Sequence, residues 1–286
     1  MIDRMLVKEL LDFIMETLAP LYDIREARAI ATLYLQDRLA LQKHEIPLRY
    51  RDEVEPTVVD TVREDLVLLS SGVPVQYVLG KEEFCGLDFK VTPDVLIPRP
   101  ETEELVRLVV DECCGRNVTV WDVGTGSGCI AVSLARLLPS ASVFATDVSD
   151  KALEIAAYNA GHNGVDVCFA VHDMLQKTSP FGNCKFDVIV SNPPYIPASD
   201  RKTMHVNVAE NEPENALFVP DDDKFVFYKA LSCIGVNFLN EGGKMFVETY
   251  NRFHGELRDV FSASGFGKVE SLRDFSGKDR FMRTSL

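Results

Sequence analysis

Asn192, Pro193, Pro194 and Tyr195 follow directly on Phe186-Asp187-Val188-Ile189-Val190-Ser191, an apolar run that reads as a strand. Residue types in this order suit chemistry on a planar nitrogen. The lone pair of an amide nitrogen is delocalised, so a catalyst must orient the NH2 group and accept its protons without drawing off electron density. The Asn192 side-chain oxygen is one acceptor. The Pro193 carbonyl is a second, because paired prolines fix φ and bring no N–H of their own at Pro193 or Pro194. Tyr195 then offers a ring to a flat substrate group. Positioning of this kind can account for about 7–11 kcal/mol of a barrier. With an already activated methyl donor it needs neither a metal ion nor a covalent enzyme intermediate. An exocyclic base amine, adenine N6 or guanine N2, is as planar as an amide, so a nucleic-acid methyltransferase stays open as the alternative. The plainest reading is a proline-rich turn that only closes a strand.

A second group of residues, Asp122-Val123-Gly124-Thr125-Gly126-Ser127-Gly128, lies between a strand at 118–123 and a helix at 128–138. Glycines there permit a sharp turn and close approach of a ligand to bare backbone, as at a nucleotide-type cofactor. The loop lacks the third glycine of the dinucleotide fingerprint at its usual place, which favours S-adenosylmethionine over NAD. Asp147 ends the next strand about 20 residues on, where a carboxylate can accept the hydroxyls of an adenosine ribose in either cofactor.

These residues need a scaffold that brings strand ends together. Strands at 118–123, 143–146, 165–170 and 186–190 alternate with helices at 128–138 and 151–159, which predicts a doubly wound α/β sheet. A helix at 224–238, a turn at 240–243, a strand at 244–249, a helix at 254–264 and strands near 269–272 and 280–284 complete it. Before it, apolar residues recur at helical spacing at 5–18, 27–35 and 57–69. From Pro74 the pattern changes to Val75, Tyr77 and Val78, then Phe84, Leu87, Phe89 and Val91 around Gly80 and Gly86, read as a strand pair. The expected organisation is a helical domain at 1–73, a β-hairpin linker at 74–98 and a catalytic domain at 99–286.

The 286 residues, 46% of them hydrophobic, suffice for one large and one small domain. A formal net charge of -14 disfavours a chain that lies along nucleic acid. Seven scattered cysteines without a C-x-x-C pair read as reduced thiols, and no metal site is expected. Charged residues interrupt the first 21 positions, and no apolar run is long enough for a bilayer, so a soluble cytoplasmic protein without membrane contact is expected. The five histidines read as structural or solvated, and the run 221–223 as a solvated acidic loop.

The sequence resembles the HemK/PrmC family of protein-(glutamine-N5) methyltransferases, which modify the glutamine of the Gly-Gly-Gln motif in peptide chain release factors. The resemblance rests on Pro74-Val75-Gln76-Tyr77-Val78-Leu79-Gly80, Phe84-Cys85-Gly86, Val95-Leu96-Ile97-Pro98-Arg99-Pro100-Glu101-Thr102-Glu103, the Asp122 to Gly128 loop and Ser191-Asn192-Pro193-Pro194-Tyr195-Ile196-Pro197. Ile-Pro-Arg-Pro-Glu-Thr-Glu is the most family-specific segment. Glu212-Pro213, Ala216-Leu217, Asp274, Gly277 and Arg280 match weaker patterns.

The resemblance implies a Rossmann-like class I methyltransferase sheet, S-adenosyl-L-methionine as cofactor and S-adenosyl-L-homocysteine as product. It implies that Gly124 to Gly128, Asp147, Asp173, Met174 and Asn192 contact the cofactor, with Met174 against the adenine. Asn192 to Tyr195 would hold the substrate glutamine, and the N-terminal helices would recognise the release factor, the partner in place of nucleic acid. Two departures fall at Val219-Pro220-Asp221-Asp222-Asp223, where the family has a glycine-rich turn, and at Glu248-Thr249-Tyr250-Asn251, where it usually carries glycine and glutamine.

Overall fold

Short runs of β-branched and aromatic residues build a seven-stranded sheet in the computed structural model, which describes residues 5–286. Its strands, numbered along the chain, are β1 (Thr119–Val123), β2 (Ser142–Asp147), β3 (Cys168–Val171), β4 (Phe186–Ser191), β5 (Leu239–Glu248), β6 (Lys268–Arg273) and β7 (Asp279–Ser285). They lie in the order β6-β7-β5-β4-β1-β2-β3. β7 pairs antiparallel with both its neighbours, and the remaining pairs are parallel. The winding reverses between β1 and β4, the place where open α/β sheets bind ligands beyond their carboxyl ends.

The period of two sends alternate side chains into two cores. Val120, Val188, Val190 and Phe246 pack on one face with the helices Pro100–Cys113 and Cys129–Leu137. Trp121, Ile189, Met245 and Val247 pack on the other with Val226–Phe238 and His254–Ala263. Trp121 is fully buried, and its indole N–H donates to Thr146 Oγ1 at 3.0 Å, so the large ring carries no unpaired donor.

This sheet belongs to a unit formed by Lys81–Met204 and Glu212–Leu286. Within it, Pro100–Cys113 is a helix that the strand-and-helix pattern left unassigned. Proline in its first turn and the acids Glu101 and Glu103 suit a helix start, and Thr102, Leu105, Val106, Val109 and Cys113 bury one face. Lys81–Phe84 and Leu87–Lys90 form a hairpin that begins later than the strand pair read from Val75, joined by Cys85 and Gly86, both at positive φ.

The other unit comprises the residues up to Gly80 with His205–Asn211. Helices Val7–Leu18, Ile24–Arg38 and Pro56–Ser70 enclose Leu10, Ile14, Leu18, Tyr34 and Leu69. The strand read through Val75 is instead a helical turn, Val75–Leu79, ended by Gly80 at φ 73. Its Val75 is buried in the helical core, so local β-branched content yields to tertiary packing. His205–Asn211 joins this core from far along the chain: the Asn207 amide donates to Tyr22 OH, Asn211 Nδ2 to Gly72 O at 3.0 Å, and the His205 ring stacks on Tyr22 at 5.4 Å. Among the described residues, no helix is long and apolar enough to cross a membrane.

Candidate active site

The registers place the two motifs side by side. Asp122 faces Val190 across the β1–β4 pair, and one residue on, Ser191 Oγ donates to Val123 O at 2.6 Å. The glycine loop and the Asn-Pro-Pro-Tyr turn therefore leave adjacent strands in the same direction.

The loop is held from three sides. Gly124 N–H and Thr125 N–H donate to Thr146 O at 2.8 and 2.9 Å, and Gly126 N–H donates to Asp147 Oδ2 at 2.8 Å. Asp122 is fully buried beneath it and accepts the Thr125 hydroxyl at 2.7 Å. Burial pushes the Asp122 carboxyl up to about 7 against the pull of that hydroxyl, with Asp147 adding to the rise. Buried Asn159 donates to Ser127 O at 2.8 Å and exchanges two hydrogen bonds with the backbone of Lys90, tying the loop to the hairpin. Gly124 and Gly128 take φ of 79° and 82°. A Cβ at Gly124 would stand 3.1 Å from Met174 Cε, so a side chain there would press into the wall of the cleft.

Asp147 Oδ2 accepts the Gly126 N–H and its Oδ1 accepts the Ser149 N–H at 3.0 Å. A carboxylate oxygen has a further lone pair, so both remain able to accept a ligand hydroxyl. Burial raises its carboxyl above the ordinary range, and the backbone N–H groups oppose the rise. Beyond β3, Asp173 Oδ1 accepts Leu175 N–H at 2.9 Å and so caps the turn Met174–Gln176, which turns Met174 inward.

These elements surround a cavity of about 300 Å3. Gly124, Thr125, Gly126, Ser127, Asp147, Asp173, Met174, Asn192 and Pro194 line it. Asp122, Gly128, Pro193 and Tyr195 belong to the layer behind that wall: Asp122 under the loop, Gly128 against Ala156, Pro193 buried and Tyr195 with its hydroxyl 3.2 Å from Glu248 Oε1. Tyr195 also stacks on Tyr250 at 5.7 Å, so one face of the ring is covered. Its burial and the neighbouring Glu248 raise its phenol well above the usual value.

Several wall residues come from segments without a role in the sequence reading. Pro98, Arg99 and Thr102 come from the Ile-Pro-Arg-Pro-Glu-Thr-Glu segment, and Pro213 and Ala216 from the later pattern. Buried Glu212 joins the two: it accepts Arg99 Nη2 at 2.6 Å and Ile97 N–H at 3.3 Å. His172 also lines the cavity and meets Thr178 Oγ1 at 3.0 Å, while the acidic run is anchored by Asp221, which accepts the Ser199 hydroxyl at 2.8 Å. Thr102 receives the Asn192 amide at 3.2 Å and donates to Glu248 Oε2 at 2.8 Å. Glu248, noted in the sequence only within a departure, is a buried partner of the site.

The strand order, and the meeting of the two motifs at its reversal, are those of a Rossmann-like class I methyltransferase. Residues 102–216 match the methyltransferase small domain, and residues 9–80 the PrmC N-terminal domain. A release factor glutamine methyltransferase of Flavobacterium psychrophilum is 37% identical over 98% of this chain and 99% of its own length. One of Bacteroides thetaiotaomicron is 36% identical over 94% of this chain and 96% of its own. The chain belongs to the release factor glutamine methyltransferase family. The solved 16S rRNA N2 G1207 methyltransferase of T. thermophilus, in complex with AdoMet and guanosine, shares the fold, with a TM-score of 0.51 and 18% identity over 72% of this chain and 49% of that one.

Proposed function

We propose that this chain transfers a methyl group from S-adenosylmethionine to the side-chain amide nitrogen of the glutamine in the Gly-Gly-Gln motif of peptide chain release factors, in the cytoplasm where translation ends. The observation that carries the reading is the placement of Asn192 and Pro194 in the same cavity wall as the glycine loop and Asp147. An acceptor for an amide and a cradle for an adenosine cofactor then share one space.

The cavity residues fit this cofactor. Gly124 leaves room where a Cβ would meet Met174, Asp147 keeps acceptor capacity for ribose hydroxyls, and Met174 supplies an apolar surface for adenine. When bound, S-adenosylmethionine supplies an electrophilic methyl on sulfur and leaves as S-adenosylhomocysteine. The Asn192 oxygen, in the cavity wall, orients the substrate NH2 by accepting one of its hydrogens, which keeps the nitrogen lone pair aimed at the incoming carbon. As the N–C bond forms, the nitrogen releases one proton to solvent. The helical unit is assigned recognition of the release factor, supported by the match of residues 9–80 to the PrmC N-terminal domain.

The test is methyl transfer from labelled cofactor to an intact release factor, compared with the same factor carrying Ala for Gln in its Gly-Gly-Gln motif. Label on the first and none on the second is expected. Equal labelling of both would overturn the reading, as would labelling of nucleic acid in place of either.

A further inference from the structure

We propose that Glu248, acting through Thr102, sets the direction of hydrogen bonding at Asn192 and so is a positioning residue for methyl transfer; the inference rests on Asn192 being the amide acceptor. Thr102 and Glu248 are 2% and 1% exposed, so neither exchanges its partner for water. A threonine hydroxyl has one hydrogen, and an ionised carboxylate can only accept. The hydrogen of Thr102 is therefore committed to Glu248 Oε2, 2.8 Å away. Its oxygen can only accept from Asn192, which must present Nδ2, at 3.2 Å. The Asn192 oxygen is left for the substrate NH2. With a donor at position 248 the chain of bonds can reverse: Thr102 donates to the Asn192 oxygen, and the Asn192 NH2 then faces the substrate NH2, donor against donor.

The same carboxylate fixes the turn at a second point, since Tyr195 OH donates to its Oε1 at 3.2 Å. Glu248 is thus bonded to both Thr102, from the helix Pro100–Cys113, and Tyr195, from the turn after β4. Arg280 on β7, itself paired with Asp274 at 3.2 Å, and Glu101 at the helix start are the other charges acting on it. Burial pushes the carboxyl up to about 7, the hydroxyls and Arg280 pull it down, and Glu101 adds to the rise. The group therefore changes between pure acceptor and possible donor near neutrality.

The experiment measures kcat for release factor, and cofactor Kd, in the full chain and in E248Q, T102V and T102S, with kcat followed across pH. E248Q and T102V are expected to lose roughly 10- to 100-fold in kcat, the usual cost of disturbing a group that orients a reacting one. The cofactor Kd of E248Q stays at the wild-type value, and T102S recovers most of the kcat that T102V loses. Wild-type kcat falls as pH drops through about 7, and this limb is absent from E248Q. Wild-type kcat and pH profile in E248Q, or T102S no better than T102V, would overturn the inference alone. A wild-type chain inactive on release factor would overturn the substrate reading and this inference with it.

Discussion

Asp147 accepts the Gly126 N–H at 2.8 Å, so the acid that ends β2 also braces the loop that follows β1. Loop geometry, and in the proposed function the cofactor contact, thus depend on one carboxylate. In Asp147→Asn one oxygen becomes a donor, and either the Gly126 or the Ser149 N–H loses its acceptor. Hydrogen bonds to charged groups contribute about 1.5–3 kcal/mol. Cofactor Kd should therefore rise roughly 10- to 100-fold, as read by calorimetry. kcat at saturation should change little, because ribose contacts serve ground state and transition state alike. An unchanged Kd would remove Asp147 from the site.

Gly128 and Gly126 separate two reasons for glycine in the loop. Both have positive φ, at 82° and 55°. A Cβ at Gly126 meets open space, whereas one at Gly128 lies 3.0 Å from Ala156 Cβ and 3.1 Å from its Cα, inside the packed helix Asp150–His162. Gly126→Ala should cost the conformational strain alone, about 1–2 kcal/mol. Gly128→Ala adds overpacking of about 1–3 kcal/mol. Thermal melts should show the larger loss for Gly128→Ala, and equal losses would contradict the close packing.

The glycine loop, the acid ending β2 and the Asn-Pro-Pro-Tyr turn were readable along the chain because each follows an apolar run with a local break. Helix Pro100–Cys113 carried its own start signal, Pro100 with Glu101 and Glu103, yet its apolar face is interrupted by Thr102, which faces inward for a polar reason. Val75–Leu79 looked like a strand because short apolar runs are ambiguous; Gly80 in the left-handed region was the mark of a helix end. Glu248 and Thr102 are 146 positions apart, and nothing local to either announces the other. The return of His205–Asn211 to the helical unit is likewise a long-range event, set by Tyr22 and Gly72.

Glu248 also couples stability to pH. Its carboxyl ordinarily titrates at 4.5 and is raised to about 7 in the folded chain, so between these values the folded state holds the extra proton. Stability then falls as pH rises through that window and levels off above it. The difference corresponds to about 3 kcal/mol at 1.36 kcal/mol per unit. Gln at 248 does not titrate, so the melting temperature of E248Q relative to wild type should increase from pH 5 to pH 8. A pH-independent difference would show that the carboxyl is not raised. The form that directs Thr102 is the ionised one, so the ionisation required for transfer is the one that costs stability.

The helical unit yields the last prediction. Because His205–Asn211 packs in this unit, simple removal of residues 1–80 would strip the segment of Tyr22 and Gly72 and expose Ala209, which is buried. The informative variant therefore lacks 1–80 and carries a short Gly/Ser linker in place of 205–211. Retained cofactor Kd and a cooperative melt establish that the remaining unit is folded. In that variant, transfer to intact release factor should fall by about tenfold for each 1.4 kcal/mol of lost docking. Transfer to a short Gly-Gly-Gln peptide, which occupies only the surroundings of Asn192, should fall much less. Equal activity of truncated and full chains on the intact factor would show that recognition lies in the sheet unit, leaving the helices Val7–Leu18, Ile24–Arg38 and Pro56–Ser70 without a part in substrate selection.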